Sequence, residues 1–491
     1  MDERIHDYLD KQNDLRPAAP ALSDTLGNEW SYANLTAASI ELTDALERMG
    51  VQANDRVLIL LENCAAVLTA VFAISRIGAT SVPFNARQTE AEVDRIILHS
   101  EPAAILFTSA VSDEAAGHAK RLGAVQIENC ADLDSVVRHS SPDPDLNDVA
   151  TLLYTTGTTG DPKGVMLTHA NLIFGGSVTC KTRKVTHHDT IYGVLPFSHV
   201  FGFTSIVMAG ILAGAKIRIA RRFVPAELYQ ALNSGITLLS AVPQMHALLM
   251  QYTKEQGHDK LQSNSLRYVS SGAAPLDLDW KQRAETFFGL QLQNGYGMTE
   301  TTAGASLTSH TERNDDISVG QPFPGVKIKV DHGVPDAQGE VGEILVSGGG
   351  VMKGYFRNSA ETAKAFTREG WLRTGDLGRI DDKGNLHIVG RSKELIIHGG
   401  FNVYPPEVEA ALNDHPKVIQ CAVAGHIVDG DELVYAFVEA SPSDWPNETD
   451  LRNFAAKKLA GYKRPSKIII VEKLPAAPTG KILKSKLGEL L

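Results

Sequence analysis

Short apolar runs alternate with stretches whose apolar residues recur every three or four positions, and this rhythm holds along most of the chain. Residues 56–60 read as a strand and 65–77 as a helix that stops at Gly78; strand 80–84, helix 90–100 and strand 103–108 follow. Further on, strands at 190–196, 216–220, 236–242 and 266–270 are interleaved with helices at 226–233, 244–254 and 279–288. Strand-then-helix alternation predicts parallel or mixed sheets covered by helices. Pro243 and Pro275 fall just past strands, where a residue without an N–H ends pairing. The longest weakly polar run, 197–215, contains Ser198, His199 and several glycines, and reads as a buried strand-to-helix passage rather than a membrane span.

The rhythm changes near Ile317. Strands at 326–330, 342–346 and 386–389, separated by Gly and Asp turns, predict a small barrel-like piece. After Gly390 come the short segment 393–397, helix 407–414, strands 418–424 and 433–439, helix 450–459 and strand 467–471. That is about 100 residues of α+β structure, a common domain size. The fold class is therefore α/β: a large N-terminal domain of helix-covered mixed sheets with a barrel-like subdomain, then a small α+β C-terminal domain.

Composition narrows the function. A chain of 491 residues is too long for one ordinary core. A net charge of −11 argues against a nucleic-acid or anionic-membrane binder, so any nucleotide site must be built from local dipoles and a few Lys or Arg. Cys64, Cys130, Cys180 and Cys421 stand at no metal spacing, and a disulfide framework does not suit so long a chain. A reduced, cytoplasmic setting fits, as does a polar N-terminal stretch with no apolar signal core.

The most informative segment is 154–165, YTTGTTGDPKGV. Glycines let backbone N–H groups turn onto an anion, the threonines add hydroxyl donors, and Lys163 adds a charge. The segment is not the common P-loop, because Gly164 stands where Ser or Thr would follow the lysine. Five further segments carry chemistry. Residues 195–202 place His199 among apolar residues, which alone reads as a satisfied core histidine. Residues 271–276 form a small-residue turn that could admit a flat ring. In 294–300, Tyr296 could lie against a nucleobase, Thr299 could reach a phosphate and Glu300 could help to hold Mg²⁺. Asp376, in 373–377, is an acceptor suited to a ribose diol or to an Asx-turn. Residues 478–481 put Lys481 on a glycine turn.

Together, and in this order, these segments resemble the adenylate-forming superfamily, which includes acyl-CoA synthetases, peptide-synthetase adenylation domains and beetle luciferases. In look the chain is similar to medium-chain fatty acid and coumarate-type CoA ligases. Gly354-Tyr355, Trp371-Leu372, 390–394 and 399–401 are further matches. The resemblance implies a carboxylate–CoA ligase that uses ATP, Mg²⁺ and CoA and works through an acyl-AMP. It assigns Thr155, Thr156, Gly157, Thr158, Thr159, Gly160 and Lys163 to a pyrophosphate-cradling loop. It gives Gly272, Ala273, Ala274, Asn294, Gly295 and Tyr296 to an adenine pocket, and Asp376 and Arg391 to the ribose. It makes Lys481, Thr299 and Glu300 catalytic, with Glu300 linked to the metal, and Gly399 and Gly400 the face that admits the thiol arm. His199, Phe201, Ser205 and Ala241 would line the acyl pocket. Lys393 would be the hinge between domains 1–391 and 392–491, the second of them mobile.

The resemblance also bears on the substrate. No acid stands in 197–203 to pair an amino group, and Gly295 stands where malonate-type enzymes carry Arg. A medium-chain or aryl monocarboxylic acid is the expectation, with neither nucleic acid nor a membrane span as partner, and with room for a homodimer. A carrier-protein-loading ligase and an inactive scaffold relative are the alternatives.

Overall fold

The computed structural model describes residues 3–24, 26–128, 130–155, 162–263, 265–334, 337, 339–398, 401–428, 431–476 and 482–491. Two large sheets dominate. In the first, Arg56–Leu61 lies between Thr80–Asn85 and Ala104–Phe107, all parallel. Val149–Thr155 follows beside Thr80–Asn85, and Lys163–Thr168 and Gly354–Tyr355 close that edge antiparallel. The second sheet has a parallel interior of Lys216–Ile219, Thr190–Gly193, Leu238–Ala241, Tyr268–Ser271 and Leu292–Tyr296.

One helix shows how the two sheets share a core. Ala65–Ile77 is buried at every position from Ala65 to Ser75, as an all-apolar helix must be. It ends where the sequence pattern places its end, at Gly78 in the left-handed conformation (φ 83°). Thr89 and Glu92 form a capping box that starts Glu90–Ser100 at its expected first residue.

The antiparallel piece is a four-stranded sheet of Val326–Asp331, Gly342–Gly348, Leu372–Ile380 and Leu386–Arg391. Beyond it, the hairpin Gln420–Val428/Asp431–Glu439 and the parallel strand Lys467–Val471 carry the helices Pro405–Asn413 and Glu448–Ala456 around a separate core of Val408, Leu412, Val423, Val434 and Leu451. This unit meets the large one where Lys458 Nζ lies 3.6 Å from Asp279 Oδ2 and pairs with Asp414. The Asp414 carboxyl faces Asp277, whose pKa is lifted to about 7 by burial and by that neighbour.

Several expectations shift. Residues 393–397 are divided between a 3₁₀ turn, Ser392–Glu394, and the short strand Ile396–His398. The passage 197–215 is almost wholly helical and contains a π-helical stretch, Phe203–Met208. The helices Ile5–Leu15 and Tyr32–Arg48 and the return strand Lys163–Thr168 had no counterpart in the sequence reading. The four cysteines are free, and among the described residues no helix is long and apolar enough to cross a membrane.

Arg56 staples the first sheet to the loops beneath it. Its side chain has no exposed surface, yet it donates to Ser100 O at 2.8 Å, Glu101 O at 2.7 Å, Ser141 O at 2.8 Å and Ser140 Oγ at 2.7 Å. Replacing it with methionine keeps the bulk and leaves three carbonyls short of a donor. Arg56→Met is expected to lower unfolding stability by about 3 kcal/mol or more. Urea unfolding of the two proteins measures this, and a loss of under about 1 kcal/mol would show that water replaces the guanidinium freely.

Candidate active site

The Thr- and Gly-rich loop springs from an antiparallel pair in which Thr155 faces Lys163 and Tyr154 faces Gly164. Thr156, Gly157, Thr158, Thr159 and Gly160 lie outside the described residues, as do Gly399, Gly400 and Lys481. The glycine after Lys163 has a packing reason. A Cβ there would stand 3.2 Å from the Tyr154 ring and 3.4 Å from Phe356.

Lys163 Nζ pairs with Glu361 and sits 5.1 Å above the Tyr355 ring. Pairing of Gly354–Tyr355 with Lys163–Thr168 places that ring, and its hydroxyl donates to Glu300 Oε1 at 2.9 Å. Glu300 is 7% exposed. Burial raises its carboxyl above the usual range, while its own backbone N–H and Tyr355 pull the other way. A second knot adjoins the first. Asp376 Oδ2 accepts from Tyr296 Oη at 2.6 Å, and Oδ1 pairs with Arg391 Nε at 2.9 Å. Strand register sets Asp376 directly opposite Arg391. Asp376 is the chief cause holding the Arg391 guanidinium above its ordinary value, and Glu300 contributes, so both knots share one field. Left-handed backbone at Ala273 (φ 67°), Thr302 (φ 53°) and Ala303 (φ 79°) falls beside these groups, where such strain concentrates in working sites.

On the second sheet, Gly272 lies against Phe201, whose ring would stand 3.2 Å from a Cβ at 272. Gly202 fits a turn in which a Cβ would meet Pro196 O at 2.4 Å. His199, half-buried, precedes that turn, and Ser205 is buried on the π-helical stretch. Ala273 and Ala274 are exposed, Thr299 is half-buried at the start of a 3₁₀ turn, and Lys393 is exposed on the turn after Arg391.

Three expected site residues behave differently. The Asn294 amide nitrogen donates to Ile317 O at 3.1 Å and Ser318 O at 3.2 Å, so that nitrogen holds a neighbouring segment. Gly295 does not leave open room, because a Cβ there would stand 3.0 Å from the Leu307 side chain. Ala241 has no exposed surface and faces the side of the sheet opposite Ser240 by strand alternation. Conversely, Tyr355 and Glu361 had not been placed in the site. Tyr355 was visible as a motif residue, but Glu361 lies 198 positions from Lys163 and carries no local signal.

Residues 9–356 match the AMP-binding enzyme family and 407–481 match the AMP-binding enzyme C-terminal domain. 4-Coumarate–CoA ligase 1 of Arabidopsis thaliana is 31% identical over 526 residues, which cover 98% of this chain and 92% of the relative. O-succinylbenzoate coenzyme A synthetase of Bacillus subtilis, solved with ATP and magnesium, is 28% identical with a TM-score of 0.82, covering 98% and 99% of the two chains. ATP-bound MatB from Rhodopseudomonas palustris is 29% identical and gives a TM-score of 0.86 over 100% of this chain and 99% of that one. The apo form of that same protein gives 0.75, so its two forms differ in shape and this chain is nearer the ATP-bound one. A family match over well more than half its length, with relatives spanning nearly all of it, shows that this chain belongs to the AMP-binding enzyme family.

Proposed function

We propose that the protein is an AMP-forming carboxylate–CoA ligase. It joins a carboxylate to the α-phosphate of ATP with release of pyrophosphate, then passes the acyl group from AMP to the thiol of CoA. The acid is a medium-chain or aryl one; the chain's likeness to 4-coumarate–CoA ligase supports the aryl choice. The observation that carries the reading is the joining of the two charged knots. The Thr/Gly loop ends at Lys163, and Lys163 reaches Glu300 through Tyr355. Glu300 in turn shares a field with the Asp376–Arg391 pair. Triphosphate at one end and ribose at the other fit that span.

The chemistry brings two anions together, so the protein must cancel repulsion where charge gathers. Lys163, at the root of the loop, would attract the leaving pyrophosphate. Asp376 would accept from the ribose hydroxyls, with Arg391 and Tyr296 fixing its two oxygens. Thr299 would donate to the α-phosphate. Mg²⁺ would neutralise phosphate charge, and the buried Glu300 carboxylate, whose Oε1 accepts from Tyr355, offers the hard oxygen donors that suit it. Gly272, buried against Phe201, leads into the exposed Ala273 and Ala274, a turn on which a flat base could lie. Lys481 is assigned by resemblance to the bridge between the acid and the α-phosphate. Lys393, between units with separate cores, is proposed as the hinge between 1–391 and 392–491. The closer likeness to the ATP-bound shape supports an arrangement suited to adenylation.

Three outcomes test this. Lys481→Ala is expected to cut acyl-AMP formation by about 10²–10³-fold while supplied acyl-AMP still reacts with CoA; pyrophosphate release and thioester formation are assayed separately, and equal losses in both would overturn domain alternation. Lys393→Pro is expected to slow thioester formation more than adenylation, and unchanged turnover would remove the hinge. Glu300 holds its proton to higher pH than an ordinary carboxyl, because burial disfavours its charge. Since only the ionised form suits a cation, kcat/KM for ATP should rise with pH above the usual carboxylate range and then level. Glu300→Gln should lower the plateau and abolish that rise; a rise surviving in the variant would assign it to another group.

A further inference from the structure

Arg183, the last residue of helix His169–Arg183, turns its side chain into the protein and is 6% exposed. Nη1 donates to Ser240 Oγ at 2.8 Å, Nη2 reaches Ser205 Oγ at 3.4 Å, and the guanidinium lies 5.4 Å from the Tyr268 ring centre. Nε is buried and donates to nothing. Among the described residues no carboxylate forms an ion pair with it. The Tyr268 hydroxyl beside it is also buried, turned toward Ser270 without reaching hydrogen-bond geometry. Arg56 is the contrast, a buried arginine whose three guanidinium nitrogens all donate, to three carbonyls and a hydroxyl. Arg183 is a donor-only cation with an unused N–H and no counter-charge, and such burial is costly unless something supplies the missing anion.

Its place in the fold says what that is. Ser270 lies two residues before Gly272 on the same strand-to-turn passage, and Gly272 touches Phe201, four residues before Ser205. Ser240 Oγ meets Ser270 Oγ at 3.0 Å, so the hydroxyl that Arg183 donates to is joined to the strand that leads to Gly272, about 7 Å or two residues further on. An aryl ring with its substituents or a short methylene chain is comparable with that separation.

We propose that Arg183 is a specificity-determining residue that receives a second carboxylate, borne at the far end of the acyl substrate. This rests on the carboxylate–CoA ligase reading and narrows its substrate to acids that are anionic at both ends. It departs from the monocarboxylic expectation, which considered position 295 alone. Leu307 fills the space beside Gly295, and the cation comes instead from a different helix.

The test compares straight-chain diacids of about four to eight carbons and para-carboxyaryl acids with their monomethyl esters, a contrast of charge at similar length. Pyrophosphate release and ligand-induced thermal shift are read for the wild type, Arg183→Met, Arg183→Lys and Ser240→Ala. Expected is a free-acid preference of on the order of 10²-fold in kcat/KM for at least one pair, gone in Arg183→Met and weakened in Ser240→Ala. A wild type that prefers the esters throughout, or a preference that persists in Arg183→Met, overturns the proposal while leaving the ligase reading intact. Absence of pyrophosphate release with every acid overturns the ligase reading instead. The thermal shift then still decides the residue: a diacid-specific stabilisation lost in Arg183→Met upholds it, and no such shift refutes it. If Arg183→Met does not fold, Arg183→Lys, which keeps the charge but not the fork, must lower the acid-to-ester ratio several-fold; an unchanged ratio refutes the assignment.

Discussion

Tyr355 links Lys163 to Glu300. The Lys163 ammonium rests over the face of the ring while the phenol donates to the Glu300 carboxylate, so one side chain touches both charged groups. Glu361 anchors the lysine from the other side. The ring owes its position to the antiparallel pairing of Gly354–Tyr355 with Lys163–Thr168. The edge of the first sheet, the root of the Thr/Gly loop and the buried carboxylate are therefore set by one hairpin and the short strand beside it.

What could be read from the sequence was what local rules decide. Gly78 as a left-handed stop, Thr89 with Glu92 as a start, and the short apolar strands of both sheets are each legible within a window of a few residues. The chemistry of the Thr/Gly loop and of 294–300 was legible for the same reason. What escaped depends on partners far along the chain. The glycine at 164 looked like a departure from a phosphate motif and is explained by Tyr154 and Phe356. The Asn294 amide nitrogen also holds Ile317 and Ser318, which no local pattern announces. The π-helical stretch at Phe203–Met208 gave no sign in an apolar run that any helical period would fit.

The two buried arginines show how satisfaction separates structure from function. Arg56 ends at the carbonyls of loops it must hold, and each of its guanidinium nitrogens donates a hydrogen bond. Arg183 touches two hydroxyls and an aromatic ring, none of which carries a negative charge. Burial alone would class the two together; only the count of partners tells them apart.

The register that sets Asp376 opposite Arg391 has one more effect. Arg391 is the final residue of its strand, and the turn carrying Lys393 begins at the next residue. A ribose held by Asp376 would therefore load the last rung before the pivot. Nucleotide arrival would tighten that rung, and departure would slacken it. The sugar of ATP, chemically idle in the reaction, would then act as a tensioner on the joint proposed at Lys393.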